Sequence, residues 1–152
     1  MHCCLMIPIA AAVLPAATQV EPGLPVGAVI EVIDWDDVDS GEGDGVKFRI
    51  KNRDGAEKTL RRDRETGEIL RRGAQCPIEA ARGKIAWGQA ELRTAQAARI
   101  VVSGHYGRDR YGRELVDLEF DGVDYGASMT ADGFMQPWDF DAGDPKPDWC
   151  QP

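Results

Sequence analysis

One stretch of this chain has the length and period of a full helix, and it divides everything else. "CPIEAARGKIAWGQAELRTAQAA" (76–98) opens with Pro77, whose fixed φ and missing N–H suit a first helical turn. Ile78, Ile85 and Leu92 then recur every seven residues, with Ala81, Gly88 and Ala95 interleaved. That spacing predicts one apolar, close-packing face turned toward the core. On either side the apolar residues come in short runs, several alternating with period two, which is strand chemistry. "GAVIEVIDW" (27–35) is a β-branched run, and "VKFRIK" (46–51) sets Val46, Phe48 and Ile50 against Lys47, Arg49 and Lys51. "RIVVSG" (99–104) and "ELVDLEF" (114–120) follow the helix. A long helix inserted before the last strands of a small meander predicts a mainly-β α+β fold, compatible with an OB-type barrel.

The connections carry turn chemistry. "DDVDSGEGDG" (36–45) reads as a turn or loop on its Asp and Gly content, and "RRDRETGEILRR" (61–72) as a short exposed hairpin over its "ETG". "DG" at 121–122 is a tight turn, and "VDYGASMTADGF" (123–134) predicts a short second helix ending at Gly133. The tail "PWDFDAGDPKPDWC" (137–150) is Pro-rich and irregular, with two tryptophans that should pack back on the body.

With 152 residues the chain has room for one domain with one real core. Its first 18 residues are apolar and uncharged, and resemble the apolar region of an exported protein's leader; residues 19–26 read as linker and 27–152 as the domain. Export to a periplasmic or extracellular space is therefore expected, and no membrane span. Cys3 and Cys4 would leave with the leader, so Cys76 and Cys150 remain as one pair. In an oxidising compartment they would bridge the tail to the start of the helix; otherwise they are two thiols. A net charge of -8 argues against loose polyanion binding, yet ten of the 18 basic residues lie between Lys47 and Arg72, so a locally positive face is available.

Four short pieces carry chemistry together: "VIDWDD", "FRIKNRDGAE", the helix and "RDRYGR". Their order is strand with Asp-x-Asp, strand with Phe-Arg, Asp-x-x-Glu, helix, then Tyr-Gly-Arg. It resembles the thermonuclease family of staphylococcal-nuclease-like domains, from about Gly27 to Phe134. The resemblance implies a five-stranded OB barrel with one long and one short helix, and calcium-dependent, sequence-nonspecific hydrolysis of DNA and also RNA, leaving 3′-phosphorylated products. It assigns Asp36 and Asp54 as metal carboxylates, Arg49 and Arg113 as phosphate-binding arginines, Glu57 as the catalytic glutamate, and Tyr111 as the residue stacking near a bound nucleotide. The chain departs from the family pattern at Trp35, Asp37, Arg53 and Ala56, where glycine, threonine, an aliphatic residue and proline are usual.

Chemistry supports the same roles. Phosphodiester cleavage needs neutralisation of charge at phosphorus and an activated water. Asp36 and Asp54 make a hard oxygen site suited to Ca²⁺, completed by the Gly55 carbonyl and waters. Glu57 can act as general base, and Arg49 and Arg113 offer planar forks to phosphate oxygens. Tyr111 presents a π face, while Arg108 and Arg110 are approach charges for substrate or solvated turn residues. "DWDDVDSGEGDG" fails the EF-hand template, there is no Cys-x-x-Cys in the body, and no Ser-His-Asp set or Gly-rich phosphate loop occurs. Beside the nuclease reading stand two others: a nuclease-like barrel that binds nucleic acid or protein with little turnover, and a plain structural barrel. No protein partner is expected, and a monomer is.

Overall fold

The structure, a computed structural model, describes residues 12–14 and 23–152. Apart from residues 12–14, the expected leader lies outside the described residues. The elements run β1 (Val29–Ile30), β2 (Val32–Asp37), β3 (Ser40–Gly43), β4 (Val46–Ile50), β5 (Arg53–Asp54), α1 (Pro77–Gln96), β6 (Ile100–Arg108), β7 (Glu114–Phe120), β8 (Val123–Asp124), α2 (Tyr125–Ala131) and β9 (Gln136–Pro137). The fold is mixed α+β, mainly strands with two helices among the described residues.

The main sheet is ordered β1-β6-β7-β4-β3-β2, with β8 on β7, and a separate pair joins β5 to β9. Pairing is antiparallel except between β4 and β7, where Phe48 lies opposite Glu114 and Ile50 opposite Val116. The end strands β1 and β2 do not pair with each other, so the closed five-stranded OB barrel is not what the sheet displays. They are instead consecutive in the chain, separated by Glu31, one pairing with β6 and the other with β3.

Two further expectations change. The Asp- and Gly-rich stretch is not turn or loop throughout but holds strand β3 between two turns: Asp37 pairs with Ser40 across Val38 and Asp39, and Gly43 pairs with Val46 across Asp44-Gly45. Its glycines mark close approach. A side chain at Gly41 would collide with the Asp34 carbonyl oxygen and press on Phe48, so glycine composition there records packing, not flexibility.

The helix turns the opposite way from its apolar stripe. Glu79, Gly83, Ala86 and Ala90 are buried, whereas Ile78, Ile85 and Leu92 are 47%, 62% and 47% exposed. Small residues face inward because α1 lies directly on the backbone around Glu57 and Lys58, where a Cβ at Gly83 would have no room. Helix and sheet are joined by polar pins as well. Trp35 Nε1 donates to Thr94 Oγ1 at 2.8 Å, and Trp87 Nε1 donates to the Trp35 carbonyl at 2.8 Å.

The core gathers around Trp35, Phe48, Ile50, Leu118, Tyr125 and Met129. Tyr125 stacks between Trp35 and Phe120 at centroid distances of 4.9 and 4.8 Å, and its hydroxyl donates to the Val38 carbonyl at 2.7 Å. The short second helix is present, capped by Asp124 accepting from the Ala127 amide. The 61–72 segment makes the expected small hairpin, with Arg62 bridged to Ile69. At the N-terminal side, Leu24 of the presumed linker is fully buried, and Glu114 accepts from the Gly23 and Leu24 amides at 2.7 Å each.

The tail is tied down twice. Cys76 and Cys150 form a disulfide across 74 residues, and Arg82 donates to the carbonyls of Trp149 and Gln151. Closing so long a loop is worth about 4 kcal/mol in the chain-entropy account. Denaturant unfolding should therefore show Cys150→Ser, or the reduced wild type, less stable by about 4 kcal/mol or somewhat less. Equal midpoints with and without reductant would remove this role.

Candidate functional site

Arg49 organises the acidic centre. It stands on β4 with its side chain 17% exposed, and its Nη1 lies 3.1 Å from Asp39 Oδ2. Its Nη2 lies 3.6 Å from Asp54 Oδ1 and donates to the Arg53 carbonyl at 3.1 Å. Asp39 comes from the turn between β2 and β3, Asp54 from β5, and both are buried. Asp39 also accepts from the Gly55 amide at 3.1 Å, tying that turn to the segment leading to Glu57.

Asp54 is held by more than Arg49. Lys146 Nζ lies 3.1 and 3.0 Å from its two oxygens, and Trp149 Nε1 donates to Oδ2 at 2.8 Å. Burial raises the Asp54 pKa, and the charge of Asp39 adds to the rise, while Lys146 and Trp149 oppose it. Arg49 loses hydration on burial, but Asp39 and Asp54 more than compensate and hold its pKa above the ordinary value.

Glu57 lies just beyond, three residues after Asp54. Burial, together with the nearby charges of Asp37 and Asp39, pushes its carboxyl up to about 7. Asp37 is likewise raised to about 6, by burial first, even though it accepts from the Lys58 amide at 3.0 Å. Glu57 opens on a cleft of ≈ 220 Å³ lined by Asp36, Asp37, Lys58, Thr59 and Arg61. A carboxyl poised near neutrality in such a cleft has the acid–base range a general base requires.

The Arg-rich hairpin tip is organised by Asp109. Its carboxylate accepts from the amides of Tyr111 and Arg113 at 2.9 and 3.0 Å, and from Arg113 Nε at 2.7 Å. The charge of Asp109 is also the last and least of those that favour protonated Arg49. Tyr111 is exposed, with the guanidinium groups of Arg110 and Arg113 at 4.9 and 5.4 Å from its ring centre. Arg108 turns back to Glu114 at 3.4 Å.

The structure therefore joins Arg49 to Asp54 directly and ties the segment leading to Glu57 to that pair through Asp39, whereas the contacts of Arg113 stay within its own hairpin tip. It places Asp36 differently. Asp36 pairs with exposed Lys47 at 3.5 Å and lines the Glu57 cleft, while Asp39 is the carboxylate beside Arg49 and Asp54. Gly55 engages through its N–H, to Asp39, in the contact observed. Two signals were present in the sequence. "DWDDVD" contains a second Asp-x-Asp, Asp37-x-Asp39, and Asp109 stands two and four residues before Tyr111 and Arg113, the spacing of a side-chain-capped turn. Nothing local marks Lys146 or Trp149, which reach Asp54 from 92 and 95 residues away.

The donor chemistry suits a hard cation. Asp39 and Asp54 are buried carboxylates within each other's field, and a cation, the Lys146 ammonium, already sits on one of them. Among the described residues no group of three or more acidic, His or Cys side chains is gathered to hold a metal, so an ion there would draw further ligands from water or substrate. No helix among those residues is long and apolar enough to cross a membrane. Neither a family model nor a curated protein matches this chain.

The Glu57 environment has a measurable consequence. Because its folded pKa lies above the ordinary value of 4.5, the folded state holds the proton more tightly than the unfolded chain. That contribution to stability is complete at acid pH and is lost as pH rises from about 4.5 through about 7. Chemical denaturation across this range should show Glu57→Gln losing less stability than wild type and exceeding it at pH values above the window. Parallel pH profiles for the two proteins would show that Glu57 is not perturbed.

Proposed function

We propose that this chain is a phosphodiester hydrolase of thermonuclease type, an endonuclease acting without sequence preference on DNA and on RNA. The observation that carries this reading is the span of Arg49 across Asp39 and Asp54, two buried carboxylates brought from the β2–β3 turn and from β5, with Glu57 three residues beyond Asp54 on its own cleft. The motif order in the sequence supports it. So does the sheet, whose end strands are consecutive across Glu31, an arrangement we read as an OB-type barrel drawn around a bent first strand.

In this reading Glu57 takes a proton from the attacking water in the cleft. Arg49 and Arg113 present their forks to the nonbridging phosphate oxygens, Arg113 held in orientation by Asp109. Arg110 and Tyr111 offer an exposed cationic and aromatic surface to the adjacent nucleotide. A calcium ion held by Asp39 and Asp54 would neutralise charge developing on phosphate. Lys146 must leave Asp54 for that ion to bind fully, so the tail and the metal compete for one carboxylate.

The competing reading is a domain that binds nucleic acid with little turnover. The occupation of Asp54 by Lys146 and Trp149, and of the Arg113 Nε by Asp109, favours it. Digestion of plasmid and single-stranded DNA with Ca²⁺, stopped by chelator, separates the two. Glu57→Gln and Arg113→Ala should each lower turnover by about 100-fold or more with folding intact. Lys146→Ala should lower the calcium concentration for half-maximal rate by about tenfold, the worth of one charge-assisted hydrogen bond. Retained DNA affinity without cleavage would select the binding module, and loss of both properties would leave neither.

A further inference from the structure

The exposed face of α1 repeats with a heptad, not with the irregular spacing of a solvated helix. Ile78, Ile85 and Leu92 occupy one seam position, and Ala81, Gly88 and Ala95 the other, an alternation of three and four residues sustained through the helix. The three large residues are 47%, 62% and 47% exposed. A 20-residue helix is about 30 Å long, so this is a continuous apolar strip rather than scattered surface residues.

Gly88 adds an independent observation. A glycine inside an exposed helix costs about 1 kcal/mol relative to alanine. At Gly83 the cost has a reason, because a Cβ there would strike the Glu57 backbone; at Gly88 nothing lies within 4 Å of where a Cβ would stand. The described fold gives Gly88 no neighbour that would need its missing side chain. A close-packed partner helix would.

We propose that this face binds a second copy of the same chain, as an antiparallel helix pair about a two-fold axis. In that arrangement each large residue faces a small one: Ile85 over the partner's Gly88, Ile78 over the partner's Ala95, and Leu92 over the partner's Ala81. Parallel pairing instead sets large against large and leaves a gap at Gly88. Charge selects the same orientation. Lys84 and Glu91 flank the seam on one side, and neither has an ionic partner among the described residues. Antiparallel packing brings Lys84 beside the partner's Glu91 and repeats the pair by symmetry, the self-complementarity that a two-fold interface requires. Parallel packing sets them beside the partner's Gln89 and Gln96, where no pair forms. On the other flank Arg82 is committed to the tail carbonyls of Trp149 and Gln151. This face is remote in purpose from the acidic centre, and the inference stands whether or not the chain is a nuclease.

Sedimentation velocity of the full chain over a concentration series tests it, with dissociation expected in the micromolar range for one helix pair. Ile85→Glu should give a monomer at every concentration, with unchanged circular dichroism and with thermal unfolding equal to that of the wild type diluted below its dissociation constant. Lys84→Glu and Glu91→Lys should each weaken association by about fivefold or more, and the double exchange should restore it. A wild-type chain that stays monomeric overturns the proposal, whether the strip is bare or covered by the chain's own apolar N-terminus. So does a dimer indifferent to Ile85→Glu, or single charge exchanges that the double exchange fails to rescue, since that pairing is specific to the antiparallel register.

Discussion

Arg49 bridging Asp39 and Asp54 is the contact on which the rest of the molecule depends. Two buried carboxylates cannot share a small volume without cation compensation, because each pays for lost hydration and for the other's charge. Arg49 supplies that compensation from near the end of β4, between the β2–β3 turn and β5. Lys146 supplies the remainder from the tail. The ion cluster thus links the first hairpin, the strand bearing Arg49 and the Asp54–Glu57 segment to a C-terminal strap more than ninety residues away.

That linkage explains why so irregular a tail is ordered. Residues 138–150 contain no regular element, yet the disulfide to Cys76, the Arg82 contacts and the Asp54 bonds from Lys146 and Trp149 fix them. A metal in this centre would compete with a cation the protein already owns. The same strap that stabilises the fold therefore bears on any chemistry at Asp54.

The helix shows how burial is decided by clearance as much as by hydrophobicity. Two faces of α1 could have packed inward, one of Ile and Leu, the other of Gly and Ala with Glu79 at its end. The smaller face won because the helix lies against bare backbone at Glu57 and Lys58, and because Glu79 there accepts from the amides of Gln75 and Glu57 at 2.6 and 3.4 Å. A polar side chain that satisfies buried amides can outrank an isoleucine for an inward position. Periodicity identifies the helix; it does not say which of two stripes meets the sheet.

The sequence by itself determined the elements whose signal is local. Alternation marks β4 and β7, Pro77 and length mark α1, Gly133 stops the helical run just past α2, and Asp121-Gly122 makes the tight turn. Motif order also singled out Arg49 and Asp54, which the fold does bring together. Only the tertiary structure decided which carboxylate joins Arg49, because "DWDDVD" offers two equivalent Asp-x-Asp pairs and the hairpin turn brings one of them, Asp37-x-Asp39, to the centre. It alone decided that Lys146 and Trp149 close on Asp54, a contact across more than ninety residues that no local pattern encodes. The physical reason is the same in each case: propensity and period act between near neighbours, whereas the pairing of buried charges is settled by where the folded backbone leaves them.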